Sequence, residues 1–199
     1  MHTKDRFSEI YSTSTPAWDI GRPQPDLLTA FDELSLTGSV LDLGCGTGEN
    51  ALELARRGLE VWGLDATPAA IAKAEEKRAA RGLSATFVHG DAFDLSALHR
   101  SFDTVLDCGL YHVLEDEERR SYRRSVDLVL RPGGRFLMLG LATNTSGRGP
   151  RGYSVDELRA GLGDGYEEVF VRAASFWATP DRGNLPAWLS LFIRKGSGE

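Results

Sequence analysis

The chain has 199 residues and a formal net charge of −6, whereas a nucleic-acid-binding domain would carry a basic balance or a basic stripe. Hydrophobic residues make up 41% of it, enough to bury a core without a metal or a disulfide. The two cysteines, Cys45 and Cys108, fit neither a secreted disulfide scaffold nor the clustered spacing of a zinc site. No apolar h-region follows Met1, and no apolar run reaches the length of a membrane span, so the expectation is a cytoplasmic protein with neither membrane nor nucleic acid as partner.

The predicted elements begin with a helix over residues 26–36, preceded by an arm. From Ser39 onward strand and helix alternate. Residues 39–43 read as a short apolar strand, a glycine-rich turn follows, and residues 49–57 read as a helix. Residues 60–64 form a second strand. Thr67 is placed to cap a helix that opens on Pro68, runs to Arg81 and ends at Gly82. Residues 85–89 and 102–107 are the third and fourth strands, the latter apolar enough for burial on both faces.

The acids from Glu115 to Glu118 favour a helix N-terminus, and Tyr122, Val126 and Val129 recur at helical spacing. Arg131-Pro132-Gly133-Gly134 stops that helix, and residues 136–141 form the fifth strand. Ser154 and Glu157 make a capping box, after which strands over residues 167–172 and 188–194 close the chain. This alternation implies one α/β domain over residues 1–199, with a mostly parallel sheet and helices on both faces. Its ligand site is expected beyond the carboxyl ends of the strands. Residues 1–37 lie outside the alternation and are expected to cover that site, with residues 38–199 as the core.

The turn after the first strand reads Asp42-Leu43-Gly44-Cys45-Gly46-Thr47-Gly48. A dinucleotide fingerprint would need a glycine at position 49, where the chain has Glu49. The spacing resembles motif I of class I methyltransferases, which wraps the amino-acid part of S-adenosylmethionine. That resemblance implies a seven-stranded Rossmann-like fold and a methyl transfer that leaves S-adenosylhomocysteine, without a metal. Asp42 then suits the cationic ammonium, and Gly44 and Gly46 bring the backbone close. Asp65, with Ala66 beside it, ends the second strand, where a carboxylate can take both ribose hydroxyls; it can equally cap the next helix. Asp91 follows the third strand and, by the same resemblance, takes the adenine amino group while the Ala92 amide faces the ring. Asp91 alone also reads as a turn residue.

The arm Thr15-Pro16-Ala17-Trp18-Asp19-Ile20-Gly21-Arg22 resembles the N-terminal signature of the thiopurine, thiol and halide methyltransferase group, Pro-Trp-Asp-x-Gly-Arg, with Ala17 inserted as a departure. The likeness continues through Leu130-Arg131-Pro132-Gly133-Gly134 and Gly149-Pro150-Arg151-Gly152-Tyr153. It implies that Trp18 packs on the sulfonium end and that Arg22 holds the carboxylate, in keeping with indole–cation and guanidinium–carboxylate attraction. After strand four the chain reads Asp107-Cys108-Gly109-Leu110-Tyr111-His112. His112 has the chemistry of a general base and Tyr111 that of a pocket wall or proton handler. The Cys108 carbonyl is placed for the ammonium, while Arg148, Arg151 and Trp177 are placed to line the acceptor pocket. An Asn/Asp-Pro-Pro-Tyr/Phe run, usual in methyltransferases of DNA bases, is missing there. The expectation is therefore a monomeric enzyme that methylates a small molecule, most readily a thiol or a heteroaromatic sulfur, nitrogen or oxygen atom. The alternatives are a non-catalytic cofactor-binding module and a methyltransferase of another acceptor class.

Overall fold

The structure is a computed structural model that describes residue 11, residues 16–144 and residues 150–196. Thr15, Arg148 and Gly149 of the motifs above lie outside the described residues. A helix, α1 (Pro25–Leu34), precedes the alternating core β1 (Ser39–Leu43), α2 (Glu49–Arg56), β2 (Glu60–Asp65), α3 (Pro68–Arg81), β3 (Thr86–His89) and β4 (Phe102–Cys108). There follow α4 (Asp116–Val129), β5 (Leu130–Leu141), α5 (Val155–Leu162), β6 (Tyr166–Trp177) and β7 (Asn184–Arg194). The strands form one seven-stranded sheet in the order β3-β2-β1-β4-β5-β7-β6. The first five are parallel, and β7 runs antiparallel to both β5 and β6.

Both faces of the sheet are covered, as the apolar strands require. On one face Leu41, Leu43, Val105 and Met138 pack with Tyr122 and Val126 of α4 and Leu158 of α5. On the other, Val40, Leu106, Leu137 and Leu139 pack with Leu27 and Phe31 of α1, Leu52 of α2 and Ala74 of α3. Among the described residues no helix is long and apolar enough to cross a membrane.

Several boundaries differ from the sequence reading for physical reasons. Thr67 makes no side-chain cap on α3; instead the Asp65 carboxylate accepts the Thr67 amide at 2.8 Å, so the acid before the helix holds its entry. The run Arg131–Gly134 does not separate helix from strand, because Leu130 already pairs with Phe102 and the turn is absorbed as an irregularity of β5. β6 extends to Trp177 and β7 begins at Asn184, since each strand finds a continuous antiparallel partner in the other. The capping box at Ser154 forms as read, the Glu157 amide donating to Ser154 Oγ at 3.1 Å and the Ser154 amide to Glu157 at 2.7 Å.

Candidate active site

Parallel register brings the chemistry to one edge of the sheet. Leu43 pairs with Asp107 and Leu64, and Asp65 with His89, so Asp42, Asp65, Asp91 and Cys108 all approach the carboxyl ends of β1 to β4. The order reverses between β1 and β4, and the glycine turn after β1 sits at that switch point. Gly44 and Gly46 take φ of +67° and +55°, left-handed conformations that a side chain would strain. The Gly44 and Cys45 amides are held by the Leu64 carbonyl at 2.8 and 3.0 Å, which folds the turn back over β2.

Four carboxylates lie at the strand ends around this turn. Asp42 is fully buried, and neither of its oxygens makes a regular hydrogen bond; the Ala51 amide is only loosely aligned with it. Burial and the neighbouring Asp107 push its pKa up to about 8. Asp107 is itself raised to about 6 by burial, although the Leu110 and Tyr111 amides and the Tyr122 hydroxyl (2.7 Å) bind it. Asp65 accepts the Gly46 amide at 2.9 Å as well as Thr67, and each of its oxygens keeps lone pairs for a further donor. Burial raises its pKa. Asp91 accepts the Phe93 amide at 2.9 Å, which gives it the turn role as well, with Ala92 buried behind it. Ala66 offers its carbonyl to His89 Nε2 at 3.2 Å.

Glu49, at the position that separates this turn from a dinucleotide fingerprint, has a structural task. Burial disfavours its charge, but Arg81 (2.9 Å to each oxygen) and Lys77 (2.9 Å) outweigh that and lower its pKa. Lys77 also donates to Thr47 Oγ1 at 2.6 Å, and Thr47 donates to Asp19 of the arm at 2.8 Å. The arm is thereby tied to the glycine turn.

Its other attachments run to the end of β6. The Thr179 amide donates to the Ala17 carbonyl at 2.7 Å, and the Gln24 side chain pairs with the Trp177 backbone through bonds of 2.9 and 2.8 Å. Arg22 lies over the Trp177 indole, 5.1 Å from the ring centroid, and among the described residues no carboxylate pairs with it. Trp18 donates from its indole to the Tyr11 hydroxyl at 3.1 Å. Tyr11, Asp19, Thr47 and Lys77 were not singled out from the sequence. The ties from Asp19 to Thr47 and from Thr47 to Lys77 span 28 and 30 positions, so no spacing rule marks them.

The segment after β4 is arranged differently from what residue type suggests. His112 is buried, and the Leu141 amide donates to its Nδ1 at 3.2 Å, which leaves the ring proton on Nε2. Burial, reinforced by Arg119, lowers its pKa to about 3. A neutral ring with its basic nitrogen engaged is not set up to take a proton. Tyr111 is 1% exposed and packs against Tyr122 and Tyr153 with Arg119 over its face, its hydroxyl directed at Gly161. That places it in the core beneath the segment. Cys108 is half-buried beside Asn50, and desolvation drives its thiol pKa upward, which suits its backbone rather than its sulfur for function. Arg151 bridges Asp116 at 3.0 Å and Glu157 on the surface, tying α4 to α5. Among the described residues no group of His, Cys, Asp and Glu could hold a metal ion.

The glycine turn, which allows close backbone approach, and the open lone pairs of Asp65 suit a ligand that carries a diol, as S-adenosylmethionine does. Comparisons with known proteins agree. A family model described as a methyltransferase domain matches residues 40–134. The chain is similar to the 2-heptyl-1-hydroxyquinolin-4(1H)-one methyltransferase of Mycobacteroides abscessus, at 38% identity over 62% of this chain and 55% of that protein. It is similar to thiocyanate methyltransferase 1 of Arabidopsis thaliana, at 31% identity over 83% of this chain and 70% of that protein. A structure solved in work on the conversion of a disulfide bond into a thioacetal group during echinomycin biosynthesis superposes with a TM-score of 0.88. It shows 34% identity, covering 98% of this chain and 94% of that one. Against the Mycobacteroides protein the chain spans about half of the relative's length.

Proposed function

Because the chain belongs to the family of S-adenosylmethionine-dependent methyltransferases, we propose that it methylates a small molecule, by preference a thiol and otherwise a heteroaromatic sulfur, nitrogen or oxygen nucleophile. When bound, the cofactor supplies a methyl group already activated by its positive sulfonium. The protein's work is to bind, align and exclude water, and alignment alone is worth roughly 7–11 kcal/mol of barrier.

In this reading Gly44 and Gly46 allow close backbone approach, and Asp65 accepts the ribose hydroxyls with the lone pairs left by Gly46 and Thr67. Asp91 and Ala92 hold the adenine. Asp42 has no surface of its own and holds a proton at neutral pH in the unliganded fold; the ammonium, arriving across the turn beside the Cys108 carbonyl, favours its charged form. Arg22, which pairs with no carboxylate among the described residues, takes the cofactor's, and Trp18 shields the sulfonium. Trp177, under Arg22, walls the acceptor side.

The observation that carries the acceptor preference is the state of His112. With Nδ1 engaged and the pKa near 3, His112 offers no base. A thiol, with a pKa of about 8.5, brings its own anion at neutral pH, and so does the thiocyanate of the Arabidopsis relative. The test is the pH dependence of methyl transfer to an aromatic thiol by the wild type and by His112→Asn, whose amide oxygen can replace Nδ1 as acceptor. The rate should rise with the thiol's own ionisation, and the variant should stay within about threefold of wild type, the effect of losing less than one neutral hydrogen bond. A hundredfold loss with intact cofactor binding would restore His112 as a base and favour a phenolic or heterocyclic acceptor.

A further inference from the structure

The arm delivers one side chain to the glycine turn whose hydrogen bonding is incomplete. Tyr11 is buried, 6% exposed, with its ring edge-on to Trp18 at 6.2 Å between centroids. Its hydroxyl lies directly over Gly46, where a Cβ would come within 2.7 Å of the oxygen. A neutral phenol has one proton to give and lone pairs to receive with. The Trp18 indole fills an acceptor position, and no acceptor for the Tyr11 proton lies within hydrogen-bonding distance among the described residues. The phenol stays neutral, because burial and the charge of nearby Asp65 both oppose its ionisation.

Asp65 is the complementary half of this arrangement. Its carboxylate receives the Gly46 amide from beneath, and the Tyr11 hydroxyl overlies the same glycine. A ribose held on Asp65 would spend both hydroxyl protons on that carboxylate. Its oxygens would then keep lone pairs with no donor from the turn, whose Gly44, Cys45 and Gly46 amides are already engaged.

We propose that Tyr11 is a cofactor-binding residue that donates its phenolic proton to a ribose oxygen, completing from the arm the recognition that Asp65 begins from the sheet. The assignment rests on the methyltransferase reading. It makes Trp18 a positioning residue, since the indole N–H fixes the rotation of the Tyr11 hydroxyl and directs its proton away from itself. It also gives the arm a polar reason to stay closed, beside its bond from Thr47 to Asp19.

The experiment is titration calorimetry of S-adenosylhomocysteine and of its 2′-deoxy and 3′-deoxy analogues against wild type and Tyr11→Phe, which keeps the ring and its packing. The variant should bind S-adenosylhomocysteine about three- to tenfold more weakly, the range of one hydrogen bond. With the analogue that lacks the contacted oxygen, the two proteins should bind alike. Equal affinity for S-adenosylhomocysteine, or a loss that persists with both analogues, would overturn the assignment and leave Tyr11 a packing residue. Failure of the wild type to bind S-adenosylhomocysteine at all would instead overturn the methyltransferase reading, and this assignment with it.

Discussion

The two halves of the sheet work by different means. From β1 to β3 the residues proposed for the cofactor are held by contacts within 20 positions along the chain: Gly44 by the end of β2, Asp65 by Gly46 and Thr67, Asp91 by Phe93. From β4 to β7 the surroundings are built from parts far apart in the chain. His112 answers to Leu141, Arg119 to Gly152, and Trp177 to Gln24, 153 residues away. In the proposed function the first half holds the cofactor. The second is an assembly of an arm, a long hairpin and buried aromatic rings, whose polar groups are largely committed to one another. A site divided in this way can keep its cofactor while its acceptor changes.

The comparison can be broken most sharply at Asp65. Asp65→Ala should weaken S-adenosylmethionine binding at least tenfold, since it removes charge-assisted hydrogen bonds of roughly 1.5–3 kcal/mol each; unchanged affinity by calorimetry would remove Asp65 from the cofactor site. A somewhat smaller effect is expected at the junction of the halves. Gly46→Ala places a Cβ 2.7 Å from the Tyr11 hydroxyl and should raise the cofactor dissociation constant about tenfold. Gly58→Ala is the control, with φ of +87° but open space around it. It carries similar backbone strain of about 1 kcal/mol and should lower the melting temperature without touching affinity. Equal affinity losses in the two variants would show that the arm does not rest on the turn.

The last test reads stability in place of affinity and concerns Asp42. Its pKa is raised from 3.8 to about 8 in the fold, so between those values the folded state holds a proton that the unfolded chain has released. Stability then falls as pH rises through this window. Asp42→Asn should flatten that fall, measured as melting temperature from pH 5 to 8 without ligand. His112 has the opposite sign, its folded pKa lying below the ordinary value, and is common to both proteins, so the difference isolates Asp42. An identical slope in the variant would mean that Asp42 is ionised in the fold.

How much of this was legible in the sequence follows the same division. Strand β1 and helix α3 stand where Gly44, Pro68 and Gly82 mark them, because turn chemistry is local. The helix cap was misplaced on Thr67, since an acid two residues earlier competes for the same amide. In the acceptor half residue type pointed to His112, Tyr111 and Arg151, yet burial, the Leu141 amide and surface ion pairs set their states. Those are tertiary facts without a sequence period. The full length of β6 was invisible for the same reason, β7 being its one neighbour in the sheet among the described residues.

The central claim is tested most directly by methyl transfer from labelled S-adenosylmethionine to a panel of an aromatic thiol, hydrosulfide, iodide, a phenol and an N-heterocycle. The account predicts label on the sulfur acceptors first, with S-adenosylhomocysteine formed in equal amount. Tight binding of S-adenosylhomocysteine with no label on any acceptor would contradict it, and would leave a protein that holds the cofactor without using it.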